Sequence, residues 1–240
     1  MKAMIFAAGK GTRLSPVTKY KPKALVDIQG VTMLENAIKY LVSYGFNEII
    51  VNVHHFADQI ITFLEKNNRF DIHLEISDER DHLLDTGGGL KKASWFFDDQ
   101  QPFLVYNVDI LTNLNLNKLL EYHKHSNGLV TLAVRNRPSS RYLLFDDNQR
   151  LIGREDVKNH RKTLLRKTKN EHKHAFSGIH VINPSIFQSF PEEGRFPIID
   201  TYLEIAKQQS VYGFLEDQSY WFDIGDHEKL KKARDFMASR

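Results

Sequence analysis

Short, wholly apolar runs alternate along this chain with stretches in which apolar residues recur every three or four positions. "AMIFAA" (3–8) is a run that ends in glycine, the pattern of a strand buried on both faces. "TMLENAIKYLVSYG" (32–45) predicts a helix: Thr32 and Glu35 have capping-box spacing, Leu34, Ile38, Leu41 and Val42 form one face, and Gly45 ends it. "EIIVNV" (48–53) predicts a strand, and Ala57, Ile60, Ile61 and Leu64 a second amphipathic helix. "IHLEIS" (72–77) reads as a strand, and "GGGLKKASWFF" (87–97) as a helix opened by glycines. "PFLVYNVD" (102–109) is a buried strand ending in an acid, followed by a helix around 116–125 and a strand over 129–134.

Strands alternating with helices of this length imply βαβ units and a mainly parallel sheet. The periodicity loosens after Arg135. "RYLLFDDNQRLIG" (141–153) predicts a hairpin turning at Asp147–Asn148, and a basic segment follows it. Order returns with "FSGIHVI" (176–182), a helix over 197–208, "SYWFDIG" (219–225) and a last helix through Leu230, Ala233 and Met237. Neither an internal repeat nor a linker interrupts the 240 residues, so one domain with a variable insert at about 136–175 is expected.

Composition narrows the class. With 41% hydrophobic residues the chain is too apolar for a disordered protein, and without cysteine it has no disulfide or thiolate metal site. No run approaches the roughly 18 apolar residues of a membrane span. The opening "MKAMIFAAGKG" has too short an apolar run for a signal peptide, so a cytoplasmic protein is expected. The net charge of +3 is local: residues 154–174 hold eight Lys/Arg against three acids and leave the remainder net negative. That segment lacks the aromatic or groove-reading elements of a nucleic-acid binder, so it reads as a solvated loop or hairpin, and neither nucleic acid nor membrane is expected as a partner.

The chemistry concentrates in "AAGKGTRLSPVTKYKPKAL" (7–25), where two glycines and five cations (Lys10, Arg13, Lys19, Lys21 and Lys23) follow the first strand. Glycine backbone lets N–H groups approach phosphate closely. A P-loop would require Ser or Thr after Gly9–Lys10 and a glycine at position 4, where Gly11 and Met4 stand. A dinucleotide fingerprint would require glycine at position 14, which is leucine. The segment resembles instead the signature of the sugar-nucleotide pyrophosphorylases, with Gly9, Gly11, Thr12, Arg13, Leu14, Pro16, Thr18, Pro22 and Lys23 in register. Those enzymes join a nucleoside triphosphate to a sugar 1-phosphate and release pyrophosphate. Within that family the chain is most similar to the small N-acetylmuramate 1-phosphate uridylyltransferases, through "TGGG", "FSGIHVINP" and "WFDIGDHEKL".

The resemblance implies a three-layer α/β sandwich around a mixed, mainly parallel sheet, of the Rossmann-like nucleotidyltransferase type. It implies that Ala8, Gly9, Gly11, Thr12 and Arg13 hold the triphosphate, with Arg13 and Lys23 catalytic, and that Asp85, Gly87 and Gly88 read the base. It gives Asn107, Ser177 and Gly178 to the sugar, and Asp109 and Asp223 to Mg²⁺, a cation that takes carboxylate and phosphate oxygens. UTP is the first choice of nucleotide and GTP the second, with mannose or heptose 1-phosphate as the runner-up sugar and a monomer or small homo-oligomer as the assembly. A non-catalytic nucleotide or sugar sensor on the same fold is the alternative of another class. Two departures stand out: Val108 occupies a position where the family usually has glycine, and the Glu-Lys pair that many relatives carry ahead of the "SG" strand is absent. Arg154–Glu155 or a cation from 158–174 is the expected substitute for that lysine.

Overall fold

The computed structural model describes residues 1–191 and 194–239. In chain order the first strands and helices are β1 (Lys2–Phe6), β2 (Asp27–Ile28), β3 (Val31–Thr32), α1 (Met33–Ser43), β4 (Glu48–Val53), α2 (Ala57–Lys66), β5 (His73–Asp78) and α3 (Asp85–Lys92). There follow β6 (Phe103–Asn107), β7 (Ile110–Thr112), α4 (Leu116–Ser126), β8 (Val130–Arg135), β9 (Arg141–Phe145), β10 (Leu151–Asp156) and β11 (Arg161–Leu164). The chain closes with β12 (His172–Ile182), α5 (Ile198–Ile205), β13 (Val211–Leu215), β14 (Trp221–Asp223) and α6 (His227–Ala238).

A ten-stranded sheet runs β11-β10-β9-β12-β6-β1-β4-β5, with β8 also paired to β12 and β13 to β8. Strands β6, β1, β4 and β5 are mutually parallel, whereas β12 is antiparallel to β6, β8 and β9. The sheet is thus mixed, as expected.

Side-chain alternation along β1 shows how the layers form. Ala3 and Ile5 join a core with Leu34, Ile38 and Leu41 of α1, Ile60 and Leu64 of α2, Leu116 of α4 and Leu230 of α6. Met4 and Phe6 point the other way, into a core with Leu90 of α3 and Ile198 and Tyr202 of α5. Two apolar faces on one sheet require helices on both sides, which makes three layers. Helix α1 begins as its sequence predicts, with the Thr32 hydroxyl accepting from Glu35 N at 3.1 Å. Its face is fully buried at Leu34, Ile38 and Leu41, and truncating any one to alanine costs about 2–5 kcal/mol.

The helix expected over 87–97 begins earlier, at Asp85, stops at Lys92, and is followed by a separate short turn at Ser94–Phe96. Of the loop or hairpin expected for the basic segment, the structure has the hairpin: β11 pairs antiparallel with β10 through Gly153↔Leu164 to Asp156↔Arg161. All four β11 residues are exposed, so it is an edge strand with no apolar alternation to reveal it. Strand β7 lies just beyond the aspartate that was expected to end its run, and there it pairs with β14.

Candidate active site

The carboxyl ends of β1, β4 and β6 converge on one cleft of about 400 Å³. Open α/β sheets place their ligands at such ends. Ala7, Ala8, Gly9, Lys10, Gly11, Thr12, Arg13 and Lys23 form one wall, with Asn107, Val108 and Asp109 at the floor and Asp85, Thr86 and Arg195 opposite. The resemblance assigned most of these positions to nucleotide, phosphate and metal, and the fold brings them together.

Loop geometry follows from Gly11. Its φ of +62° lies in the left-handed region, and a Cβ there would stand 2.9 Å from Lys23 Cβ. Glycine therefore permits both the turn and the close passage of Lys23. The Gly11 carbonyl accepts from the Thr18 hydroxyl at 2.8 Å and from Leu14 N at 3.0 Å, which closes the loop on itself. Gly9 and Lys10 stay exposed at the tip.

Lys23 forms an ion pair with Asp109 at the floor. Asp223, far away in sequence, arrives beside Asp109 because β14 pairs with β7: Asp223 is opposite Ile110, and Ile224 N donates to the Asp109 carbonyl at 2.9 Å. Lys229, one turn into α6, holds Asp223 at 2.7 Å. Each carboxylate thus carries a lysine. Gly225 lets Arg13 reach this corner, since a Cβ there would lie 2.7 Å from Asp223 Oδ1 and 3.4 Å from Arg13 Nη2. Among the described residues no cluster of three or more His, Asp or Glu forms a metal cage. Two hard carboxylates, Asp109 in the turn between β6 and β7 and Asp223 at the end of β14, beside a glycine loop suited to phosphate, suit a Mg²⁺ ion whose other ligands are phosphate oxygens and water.

On the base side the structure differs in detail from the reading of "DTGGG". Asp85 and Thr86 line the cleft, but Gly87 N and Gly88 N both donate to the Phe196 carbonyl, at 2.9 and 3.3 Å. A Cβ on Gly87 would fall 2.3 Å from the Phe196 ring, and one on Gly88 2.6 Å from the Gly194 carbonyl. These two glycines let α3 pack against the 194–196 segment, so their amides are already paired within the protein. Arg195, carried by that segment, comes within 3.9 Å of Asp85.

Sequence reasoning missed Asn52 and Glu79. The Asn52 amide oxygen accepts from Ala7 N at 2.7 Å, and its nitrogen donates to Glu79 Oε1, also at 2.7 Å. Glu79 Oε2 accepts from Leu84 N at 3.2 Å. Glu79 is only 1% exposed, and burial pushes its carboxyl above the ordinary range, against the pull of those two hydrogen bonds. A Cβ at Gly89 would meet Glu79 Oε1 at 2.6 Å, so the third glycine leaves room for this group. The signal was an asparagine inside the otherwise apolar "EIIVNV". His54 has its Nδ1 2.7 Å from the Glu79 carbonyl oxygen.

The "SG" pair forms an irregularity in β12. Its pairing with β8 shifts between Phe176 and His180, and Gly178 has φ +79°. A Cβ on Gly178 would stand 3.0 Å from Asn107 Nδ2, so the bulge brings the backbone against Asn107. Ser177 is buried behind this surface, and its carbonyl accepts from Trp221 Nε1 at 2.9 Å. Of the cations expected to replace the missing lysine, Arg154 pairs with Asp200, Lys162 with Glu171, and Lys173 with Glu155.

Residues 2–240 match the sequence model of the family described as Nucleotidyl transferase. The chain belongs to that family. It is 27% identical, over 94% of its own length and 60% of the relative's, to the UTP–glucose-1-phosphate uridylyltransferase of Synechocystis. The chain thus spans about three-fifths of that relative. It is also 27% identical to the N-acetylmuramate alpha-1-phosphate uridylyltransferase of Caulobacter vibrioides, covering 93% of this chain and 91% of that one. The crystal structure of HddC from Yersinia pseudotuberculosis complexed with GMP-PN superposes with a TM-score of 0.80 at 24% identity, over 98% of this chain and 99% of that chain. This nucleotidyl transferase family member therefore has the three-layer α/β fold that its sequence implied. No helix among the described residues is long and apolar enough to cross a membrane.

Proposed function

We propose that this chain is a sugar-1-phosphate nucleotidyltransferase, forming an NDP-sugar and pyrophosphate from a nucleoside triphosphate and a sugar 1-phosphate. The observation that carries the reading is the meeting of the glycine loop, Arg13 and the Lys23–Asp109 pair beside Asp223 at one corner of the cleft.

In this reaction an oxygen of the sugar phosphate attacks the α-phosphorus. A new P–O bond forms there, the bond from the α-phosphorus to the β-phosphate bridge breaks, and pyrophosphate leaves with that electron pair. Such chemistry depends on positioning and on offsetting negative charge. The exposed loop of Gly9–Thr12 holds the triphosphate with backbone N–H groups. Arg13 supplies a rigid fork of donors for its terminal phosphates. Lys23 stabilises charge at the transferring phosphate and on the leaving oxygen. Asp109 and Asp223 hold Mg²⁺, which neutralises phosphate charge when bound.

UTP with N-acetylmuramate 1-phosphate is the first substrate pair, and it places the enzyme in cytoplasmic peptidoglycan recycling. The similarity to the Caulobacter uridylyltransferase, which extends over nearly that protein's whole length, supports it. A guanylyltransferase acting on mannose or heptose 1-phosphate is the second reading, and the similarity to the mannose-1-phosphate guanyltransferase of Yarrowia lipolytica, 26% identical over 94% of this chain and 61% of that one, supports it.

Pyrophosphate release with Mg²⁺ tests both readings, across UTP, GTP, dTTP, CTP and ATP and a panel of sugar 1-phosphates. Release with one nucleotide–sugar pair establishes the reaction and names its substrates. Triphosphate-dependent thermal stabilisation without product for any pair would replace this reading with a sensor.

A further inference from the structure

The site described so far has cations for the triphosphate and none assigned to the sugar's own phosphate. Arg137 lies on the segment leaving β8. Its guanidinium lies 4.3 Å from the centre of the Trp221 ring. Trp221 and Asp223 are two residues apart on β14, so their side chains project from the same face, roughly 7 Å apart along the strand. Arg137 is thus held on the same side of β14 as the metal-binding carboxylate, and Asp223 is the first acid whose field acts on it. The indole that carries it donates to the Ser177 carbonyl, next to the Gly178 bulge that touches Asn107. Arg137 Nη2 in turn donates to the Phe176 carbonyl at 3.0 Å.

Its donors are incompletely used. Nη1 reaches the Pro138 carbonyl at 3.3 Å, and Nε is buried without any partner. No carboxylate among the described residues lies within ion-pair distance of Arg137. Neighbouring Arg135 is engaged: it donates to the Ser219 carbonyl at 2.8 Å and lies in the field of Glu216 and Asp217. A half-buried guanidinium stacked on an aromatic ring, with free donors and no counter-ion, is a receptor for a planar or tetrahedral oxyanion.

We infer that Arg137, braced on Trp221, binds the phosphate of the sugar 1-phosphate and replaces the absent lysine ahead of the "SG" strand. This rests on the nucleotidyltransferase reading, and it assigns to the Asn107–Gly178–Trp221 side of Asp223 the sugar half of the reaction. Sugars bearing a second anion, such as a carboxylate, gain nothing special from Arg137 in this arrangement.

Two measurements test it. Trp221 and Trp95 are the chain's two tryptophans, and Trp95 is 58% exposed elsewhere on the surface. In a Trp95→Phe background, titration with inorganic phosphate is expected to change Trp221 emission saturably. Adding Arg137→Met, which keeps the apolar stem on the ring, abolishes that response, and Arg137→Lys weakens it. In steady-state kinetics Arg137→Met raises KM for the sugar 1-phosphate by about 10- to 100-fold, leaves KM for the triphosphate unchanged, and acts equally on neutral and carboxylated sugars. A phosphate response absent from the parent, or undiminished in Arg137→Met, overturns the assignment, as does a KM effect confined to carboxylated sugars. A parent that shows the Arg137-dependent phosphate response yet turns over no pair would instead refute the reaction and leave the anion site standing.

Discussion

Lys23 Nζ donates to Asp109 Oδ2, joining residues 86 positions apart at the floor of the cleft. The pair unites the signature loop with the carboxyl end of β6, so neither member is a solitary charge. Lys23→Ala and Asp109→Ala are each expected to lower turnover by about 10² or more while far-UV circular dichroism stays unchanged. The double variant should fall little further than the worse single one, because the two act at one phosphate. Near-wild-type rates in either single variant would refute the site assignment.

Lys229 would compete for the metal position proposed at Asp223. It contacts Asp223 at 2.7 Å, and a cation arriving there must share or displace that bond. Lys229→Met is therefore expected to lower the Mg²⁺ concentration for half-maximal activity by roughly 2- to 5-fold, and Asp223→Asn to raise it by more than about 10-fold. A metal titration of each variant at saturating substrates checks both directions. An unchanged Mg²⁺ requirement in Asp223→Asn would remove that residue from the metal site.

Gly87 answers a packing question. A methyl group placed there would overlap the Phe196 ring and its carbonyl oxygen. Gly87→Ala should destabilise the protein by about 1–3 kcal/mol in urea titration. The loss is expected to appear in stability first, with KM for the nucleotide altered only as far as α3 shifts. A fully stable variant with a large, isolated rise in nucleotide KM would return Gly87 to the base-reading role.

His180 provides a pH signature. It is completely buried, hydrogen-bonded to the Tyr202 hydroxyl at 3.0 Å, and burial pushes its imidazole from 6.5 down to about 3. In the unfolded chain the ring takes up a proton below about pH 6.5, whereas in the folded chain it does not until about pH 3. The unfolded state binds more protons across that window, so stability falls as pH drops from about 6.5 towards 3. One such group contributes a slope of up to about 1.4 kcal/mol per pH unit. His123 and His174, also shifted downward by burial, add to it. Denaturant unfolding between pH 7 and 4 should be flatter for His180→Asn than for the wild type, and parallel curves would contradict the assignment.

The sequence disclosed what depends on local pattern. Apolar periodicity located β1, β4, β6 and most helices, and the capping residue Thr32 stands where its spacing put it. The signature loop was legible because its chemistry is contiguous. Relations that the fold creates were not. Nothing in "WFDIG" says that β14 pairs with β7, yet that pairing sets Asp223 beside Asp109. Glu79 looked like one acid among several in "SDERD" until Asn52 and Leu84 buried it. The glycines of "TGGG" suggested a ligand because glycine opens space, and the space at two of them is filled by Phe196 and Gly194. Arg137 gave no signal at all, since its partner in stacking lies 84 positions away.

Strand β12 changes neighbours along its length. His172–His174 pair with β9, the bulge at Ser177–Gly178 interrupts the pairing with β8, and Ile179–Ile182 lock onto β6. The position of the bulge is therefore anchored from its downstream side, by the same strand that leads to Asp109. Lengthening, shortening or recharging the β9–β11 arm changes what flanks the sugar side without re-registering the wall that carries Asn107. The arm is an exchangeable appendage on a fixed chassis, and that is where a designer seeking a different acceptor would cut and splice.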